Sequence, residues 1–115
     1  MKKLRHFVIL FMLLITGFFA SAKEPVKVAC IGNSVTFGYG LADPATQSYP
    51  AILQKKLGKN FIVGNFGHSG ATLLRKGHNP YYKTKAFADA LDFKADIAVI
   101  HLGLNDTDPR NFPNY

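Results

Sequence analysis

Residues 26–36 read VKVACIGNSVT and decide the expected fold, because an apolar run here ends abruptly in a small polar turn. The pattern recurs twice: residues 61–72 read FIVGNFGHSGAT, and residues 97–106 read IAVIHLGLND. Short apolar runs that end in glycine and polar residues are typical of buried β-strands. Two segments with helical spacing separate them, so the order β-α-β-α-β predicts parallel strands joined by crossover helices.

The two helices are predicted from their end signals and apolar spacing. The first should run from about Tyr49 or Pro50 to Leu57, since Pro suits a first helical turn and Gly58 can follow a last one. The second is predicted over residues 83–93. The strand over residues 96–102 is almost continuously apolar, which predicts a strand covered on both faces.

The first 22 residues have the pattern of a secretory signal peptide. A basic start is followed by an apolar run over residues 7–20 and by the small residues Ala20, Ser21 and Ala22. The alternative is a membrane anchor, which usually needs about 20 apolar residues. We expect cleavage after Ala22, export to the periplasm or the outside of the cell, and no stable membrane anchor afterwards.

Charge and cysteine content narrow the function classes. Loss of residues 1–22 lowers the net charge from +7 to +4, because three basic residues go with them. The remaining basic residues are expected mostly on solvated helix faces, so no nucleic-acid partner is predicted. Cys30 is the only cysteine and lies in the first apolar run, where a buried, unreactive thiol is expected.

Three strand ends carry residues suited to nucleophilic catalysis. Because ligands bind at the carboxyl ends of parallel strands, Ser34, Gly70 and Asn105 should meet at one edge of the sheet. They would supply a nucleophile, a backbone N–H and a side-chain amide for an oxyanion. Taken singly, each also fits an ordinary role: a turn serine, a Gly/Ser loop and an Asx turn.

The histidines do not complete this constellation by themselves. A serine nucleophile needs an imidazole within hydrogen-bond reach. His68 and His78 follow the second strand and His101 ends the third, a position more typical of a structural residue. Their spacing relative to the nearby aspartates matches no zinc pattern, so no metal site is predicted.

In combination, the three motifs resemble the SGNH or GDSL hydrolase family of esterases and lipases. Residues 32–34, 65–72 and 103–106 resemble its first three conserved blocks, in the right order. The resemblance implies a three-layer α/β/α, flavodoxin-like fold with Ser34 as nucleophile, and Gly70 and Asn105 in the oxyanion hole. It implies no cofactor. The strings over residues 68–72 and 101–109 look most like exported bacterial carbohydrate acetylesterases, including the sialate O-acetylesterase type.

Two departures from the family pattern affect these expectations. Asn33 replaces the family's Asp, which should keep the turn. The fourth block, Asp-x-x-His, does not occur before Tyr115. We therefore expect residues 23–115 to be the first part of such a domain, truncated after its third strand, catalytically inactive alone and marginally stable. The implied reaction is O-deacetylation of a small or glycan ester; the alternatives are a lipid esterase or a non-catalytic remnant.

Overall fold

A three-stranded parallel sheet lies at the centre of this computed structural model, which describes residues 1–2 and 23–114. The strands are β1 (Val26–Gly32), β2 (Phe61–Gly67) and β3 (Ile97–His101), in the order β2-β1-β3. Gly32 lies opposite both Gly67 and His101, so all three strands end at the same level. The predicted parallel sheet is confirmed, whereas the predicted signal peptide lies outside the described residues apart from its first two.

Four α-helices connect the strands: α1 (Ser34–Phe37), α2 (Pro44–Gln47), α3 (Tyr49–Leu57) and α4 (Lys85–Phe93). The sequence predicted α3 with its observed bounds. It did not predict the short helices α1 and α2. Helix α4 begins two residues later than expected, because the Thr84 hydroxyl caps it by accepting the Phe87 N–H at 3.2 Å.

The described residues also include four 3₁₀ segments. Gly58–Asn60 and Tyr81–Lys83 lie between strands, and Leu104–Thr107 and Pro109–Asn114 follow β3. The last of these follows Asp108 directly. The Asp108 carboxylate accepts hydrogen bonds from the Arg110 backbone and side chain.

Helices α3 and α4 cover opposite faces of the sheet. Cys30 of β1 lies against Tyr49 of α3. On the other face, the Lys27 ammonium donates to the Phe93 carbonyl of α4 at 3.4 Å, and the Phe66 and Phe93 rings are 5.2 Å apart. Because side chains alternate between the two faces of a strand, those of Lys27 and Cys30 lie on opposite faces of the sheet. The predicted α/β/α layering is therefore confirmed.

The two outer strands differ in how they are covered. Beside β2, the Gln54 side chain accepts the Val63 N–H at 2.7 Å and donates to the Phe61 carbonyl at 3.0 Å. Strand β3 is exposed instead: Ile97, Val99 and Ile100 are 47%, 40% and 64% accessible.

The prediction that β3 is covered on both faces is therefore wrong for the described chain. The reason is that α3 packs mainly against β2, and α4 against β2 and β1, rather than against β3. Within residues 1–2 and 23–114, no helix is both long and apolar enough to cross a membrane.

Candidate active site

Ser34 is the first residue of α1, directly beyond the carboxyl end of the central strand. Asn33 precedes it as the N-cap, and its side-chain oxygen accepts the Val35 N–H at 3.0 Å. This is the normal way to satisfy a free N–H at a helix start. Asn33 therefore performs the turn-forming role expected of it at the family's Asp position. Its Nδ2 is buried and has no hydrogen-bond partner among the described residues.

The helix that carries Ser34 lies very close to the strands. A Cβ on Gly32 would collide with the Thr36 side chain, and a Cβ on Gly67 would lie 2.6 Å from the Phe37 Cα. Glycine at these strand ends is thus what lets α1 approach the sheet. The same approach fixes where Ser34, which is partly exposed, lies relative to both strands.

Gly70 lies in the loop after β2 with a backbone φ of +78°. This left-handed conformation is easy for glycine and unfavourable for other residues. The loop returns to the strand ends by two bonds: the His68 N–H donates to the Gly32 carbonyl, and the Ala71 N–H to the His68 carbonyl. The loop that carries Gly70 is thus joined to the end of the strand that leads to Ser34.

Asn105 reaches the same loop from the other side. Its Nδ2 donates to the Ala71 carbonyl at 2.9 Å, next to Gly70. An amide nitrogen carries two hydrogens. This is the bond that the structure records for Asn105 Nδ2 in the described chain, so the second hydrogen can serve as a donor to a substrate. Two of the three predicted site residues are therefore held together through Ala71.

Asp106 is a residue of the site region to which the sequence analysis gave no role. Its carboxylate oxygens accept the Leu73 N–H at 2.7 Å and the Leu74 N–H at 3.1 Å. With the Asn105 bond, this makes three hydrogen bonds between the loop after β3 and the loop after β2. One sequence signal could have identified Asp106: it directly follows Asn105, and a carboxylate at such a position is a common acceptor for backbone N–H groups.

Asn111 adds a second link and was also missed. It is fully buried, accepts the His78 N–H at 2.7 Å, and donates to the Asn105 carbonyl at 3.0 Å. Its partner His78 lies 33 positions away along the sequence, so no local pattern could have identified this contact.

The His78 side chain has a hydrogen-bond partner other than Ser34. The His78 ring nitrogen Nδ1 lies 3.2 Å from Asn111 Oδ1, and His101 is exposed at the end of β3. No hydrogen bond joins an imidazole to the Ser34 hydroxyl in the part of the chain that the structure describes. In that same part, no three His, Cys, Asp or Glu side chains come together as ligands of a metal ion.

Burial raises the pKa values of two side chains, Tyr81 and Cys30. It raises the pKa of Tyr81 to about 12, and the Tyr81 hydroxyl donates to the Phe66 carbonyl at 2.6 Å. It also raises the pKa of the Cys30 thiol, against a smaller opposing effect of its hydrogen bond with Tyr49. Cys30 is fully buried, as predicted, and a thiol that resists ionisation is a poor nucleophile.

Comparison with known proteins identifies related sequences and structures. The model of the GDSL-like lipase/acylhydrolase family matches residues 30–114. An acetylxylan esterase of Xylanibacter ruminicola is 48% identical over 93 residues, which are 81% of this chain and 19% of that protein.

Solved structures give the same family. AlinE4, an SGNH-hydrolase family esterase, superposes with a TM-score of 0.55 at 32% identity, over 75% of this chain and 44% of that one. A variant of the same esterase gives a TM-score of 0.55 at 30% identity. The chain thus spans less than half the length of these relatives. The resemblance inferred from the three motifs is confirmed, and the chain belongs to the GDSL-like lipase/acylhydrolase family.

Proposed function

We propose that this chain carries the nucleophile and oxyanion hole of a serine esterase that removes acetyl groups from sugars. The observation that supports this most is the pairing of the two loops beside the central strand: Asn105 donates to Ala71, next to the positive-φ Gly70. Both loops leave the sheet at the level where Ser34 begins α1. A nucleophile at one strand end with two donors at its neighbours is an acyl-transfer arrangement.

In the proposed reaction, Ser34 Oγ attacks the carbonyl carbon of the acetyl ester and its proton passes to a base. The carbonyl oxygen becomes an oxyanion, which accepts hydrogen bonds from the backbone N–H groups of Ser34 and Gly70 and from Asn105 Nδ2. The sugar alcohol leaves with the proton, and water then hydrolyses the acetyl-serine. The resemblance assigns the base to the Asp-x-x-His block, which does not occur in residues 1–115.

The substrate proposal rests on the relative with 48% identity, which is named as an acetylxylan esterase. A second candidate, the lipid esterase, is favoured by one observation. Apolar side chains beside Ser34 are exposed, among them Val35 and Phe37 of α1 at 53% and 46%. Such a surface suits a long acyl chain. Rates on acetylated xylo-oligosaccharides and on long-chain esters of the same alcohol separate the two.

The nucleophile is tested in the protein expressed from its native gene. Ser34→Ala should abolish hydrolysis of acetyl esters, because no other group would form the acyl-enzyme. Ser69→Ala is the matched control, since it removes an exposed hydroxyl next to Gly70. Its rate should stay close to wild type. Turnover by the Ser34→Ala protein at the wild-type rate would reject the assignment.

The oxyanion hole is tested separately. Asn105→Ala should lower kcat by about 100- to 1000-fold, the usual effect of losing one donor. Circular dichroism should show that the variant is folded. An unchanged kcat would remove Asn105 from the proposed site, and a fully inactive wild type would favour the non-catalytic alternative.

Export is proposed on the sequence pattern of residues 1–22. Amino-terminal sequencing of the protein recovered outside the cytoplasm should begin at Lys23. A protein that still begins at Met1 would contradict cleavage.

A further inference from the structure

Arg75, Tyr82 and Lys83 form an exposed group that the proposed reaction does not use; we call it the cationic shelf. The Arg75 guanidinium carbon lies 4.6 Å from the centroid of the Tyr82 ring, and Lys83 Nζ lies 5.7 Å from it. Both distances are typical of cation–π contacts. One ring therefore contacts two positive charges on the surface.

The cationic shelf is part of the same loop system as Gly70. The Thr72 N–H donates to the Asn79 carbonyl at 2.8 Å, and the Tyr81 N–H donates to the Thr72 carbonyl at 2.9 Å. These bonds join the start of the loop to the segment that carries Tyr82. Arg75 directly follows Leu74, whose N–H is bound by Asp106. The shelf therefore lies on an anchored loop beside the proposed oxyanion donors.

The shelf lies in a part of the chain without acidic residues. No Asp or Glu occurs between Asp43 and Asp89, whereas seven Lys and Arg residues do. Among the described residues, Lys85 pairs with Asp89 at 2.6 Å, but no carboxylate forms an ion pair with Arg75 or Lys83. Arg75 lies in a loop and Lys83 in a 3₁₀ segment, so these two cations do not lie on the helix faces expected for most basic residues.

We propose that the cationic shelf binds the carboxylate of a uronic acid residue in an acetylated polysaccharide and so holds the polymer beside Ser34. A guanidinium and a carboxylate match in charge and in planar geometry. The choice of a saccharide rests on the proposed function. A pair of cations on one ring suits a single carboxylate better than a membrane surface, whose anionic lipids are usually bound by clusters of about four to eight basic residues.

The shelf is tested by binding, without reference to hydrolysis. The native protein is titrated with de-esterified glucuronoxylan and with the same polymer after its uronic acids are reduced to neutral sugars. Arg75→Gln/Lys83→Gln should weaken binding to glucuronoxylan by about 3- to 10-fold, the range expected for losing two exposed charge contacts. It should leave binding to the reduced polymer unchanged.

Lys55→Gln/Lys56→Gln is the matched control, because it removes two exposed lysines on α3. It should change neither affinity by more than about 2-fold, within the small effect of remote surface charges. Equal losses in the two double variants would reject the shelf as a site. Equal binding of native protein to both polymers would also reject it, as would tighter, shelf-dependent binding to RNA or anionic vesicles.

Failure of the shelf and failure of the proposed function give different results. Hydrolysis of a small neutral acetyl ester depends on Ser34 and not on the shelf. Intact hydrolysis with no effect of Arg75→Gln/Lys83→Gln on binding overturns only the shelf. Selective glucuronoxylan binding without any Ser34-dependent hydrolysis overturns only the proposed reaction.

Discussion

Replacing Asp106 by Ala tests whether the loop after β3 holds the loop after β2. The carboxylate accepts two backbone N–H groups, from Leu73 at 2.7 Å and Leu74 at 3.1 Å. A hydrogen bond to a charged group contributes about 1.5–3 kcal/mol to stability. Two fully buried bonds of this kind would therefore contribute about 3–6 kcal/mol. The bond to Leu73 is exposed, and water can replace it. We therefore expect Asp106→Ala to lower the free energy of unfolding by about 2–3 kcal/mol.

Asp106→Asn distinguishes the two bonds from a general effect of mutation. Its amide oxygen can accept one N–H, but its nitrogen cannot accept the other. The expected loss is about half as large, about 1–1.5 kcal/mol. The control is Asp89→Asn, which removes a surface pair with Lys85 on α4. Such an i,i+4 pair contributes about 0.3–0.5 kcal/mol.

The assay is equilibrium unfolding in urea, followed by circular dichroism, together with hydrogen exchange of individual amides. Exchange at Leu73 and Leu74 should accelerate more in Asp106→Ala than exchange in α4. The reasoning fails if Asp106→Ala loses no more stability than Asp89→Asn. It also fails if the two amides keep their native exchange rates.

Three further predictions follow from packing, titration and the absence of a base. Gly67→Ala should destabilise the protein by about 3 kcal/mol or more, because its Cβ would collide with the Phe37 backbone; thermal unfolding at the wild-type temperature would contradict this. For Tyr81, the folded pKa of about 12 lies above the ordinary value of 10.0, so the unfolded state loses this proton first and stability should fall as the pH rises from about 10 to about 12. Denaturation at alkaline pH should show this slope in wild type and a smaller one in Tyr81→Phe. A polypeptide limited to residues 23–115 should show no ester turnover above background, since no described imidazole bonds to Ser34; multiple turnover that is lost in Ser34→Ala would show that one of its histidines acts as the base.

Local sequence patterns were sufficient for the three strands, the two longer helices and the candidate residues. The apolar run of β1 followed by Gly32 predicted a strand end, and Pro50 with Gly58 predicted α3. Ser34, Gly70 and Asn105 were found because each follows a strand directly. Patterns of this kind depend on neighbouring residues alone, and the backbone conformations that they favour are the ones observed.

Local patterns were insufficient where the partner lies far along the chain. Asp106 and Leu73 are 33 positions apart, as are Asn111 and His78. The apolar run of β3 predicted a fully covered strand, yet its exposure depends on which elements pack against it. A hydropathy pattern shows that a side chain is apolar enough to be buried. It does not show whether another element packs against that side chain.

The sequence alone thus determined the order of the three strands and the two longer helices, the family and the residues proposed for catalysis. Only the tertiary structure decided that the loops after β2 and β3 are joined through Ala71 and Asp106, that α1 lies against Gly67, and that two cations share the Tyr82 ring. The physical reason is that strand and helix formation depends on short-range backbone preferences and periodicity. Hydrogen bonds between loops depend on the distances that arise when the parallel strands pair and bring their carboxyl ends together.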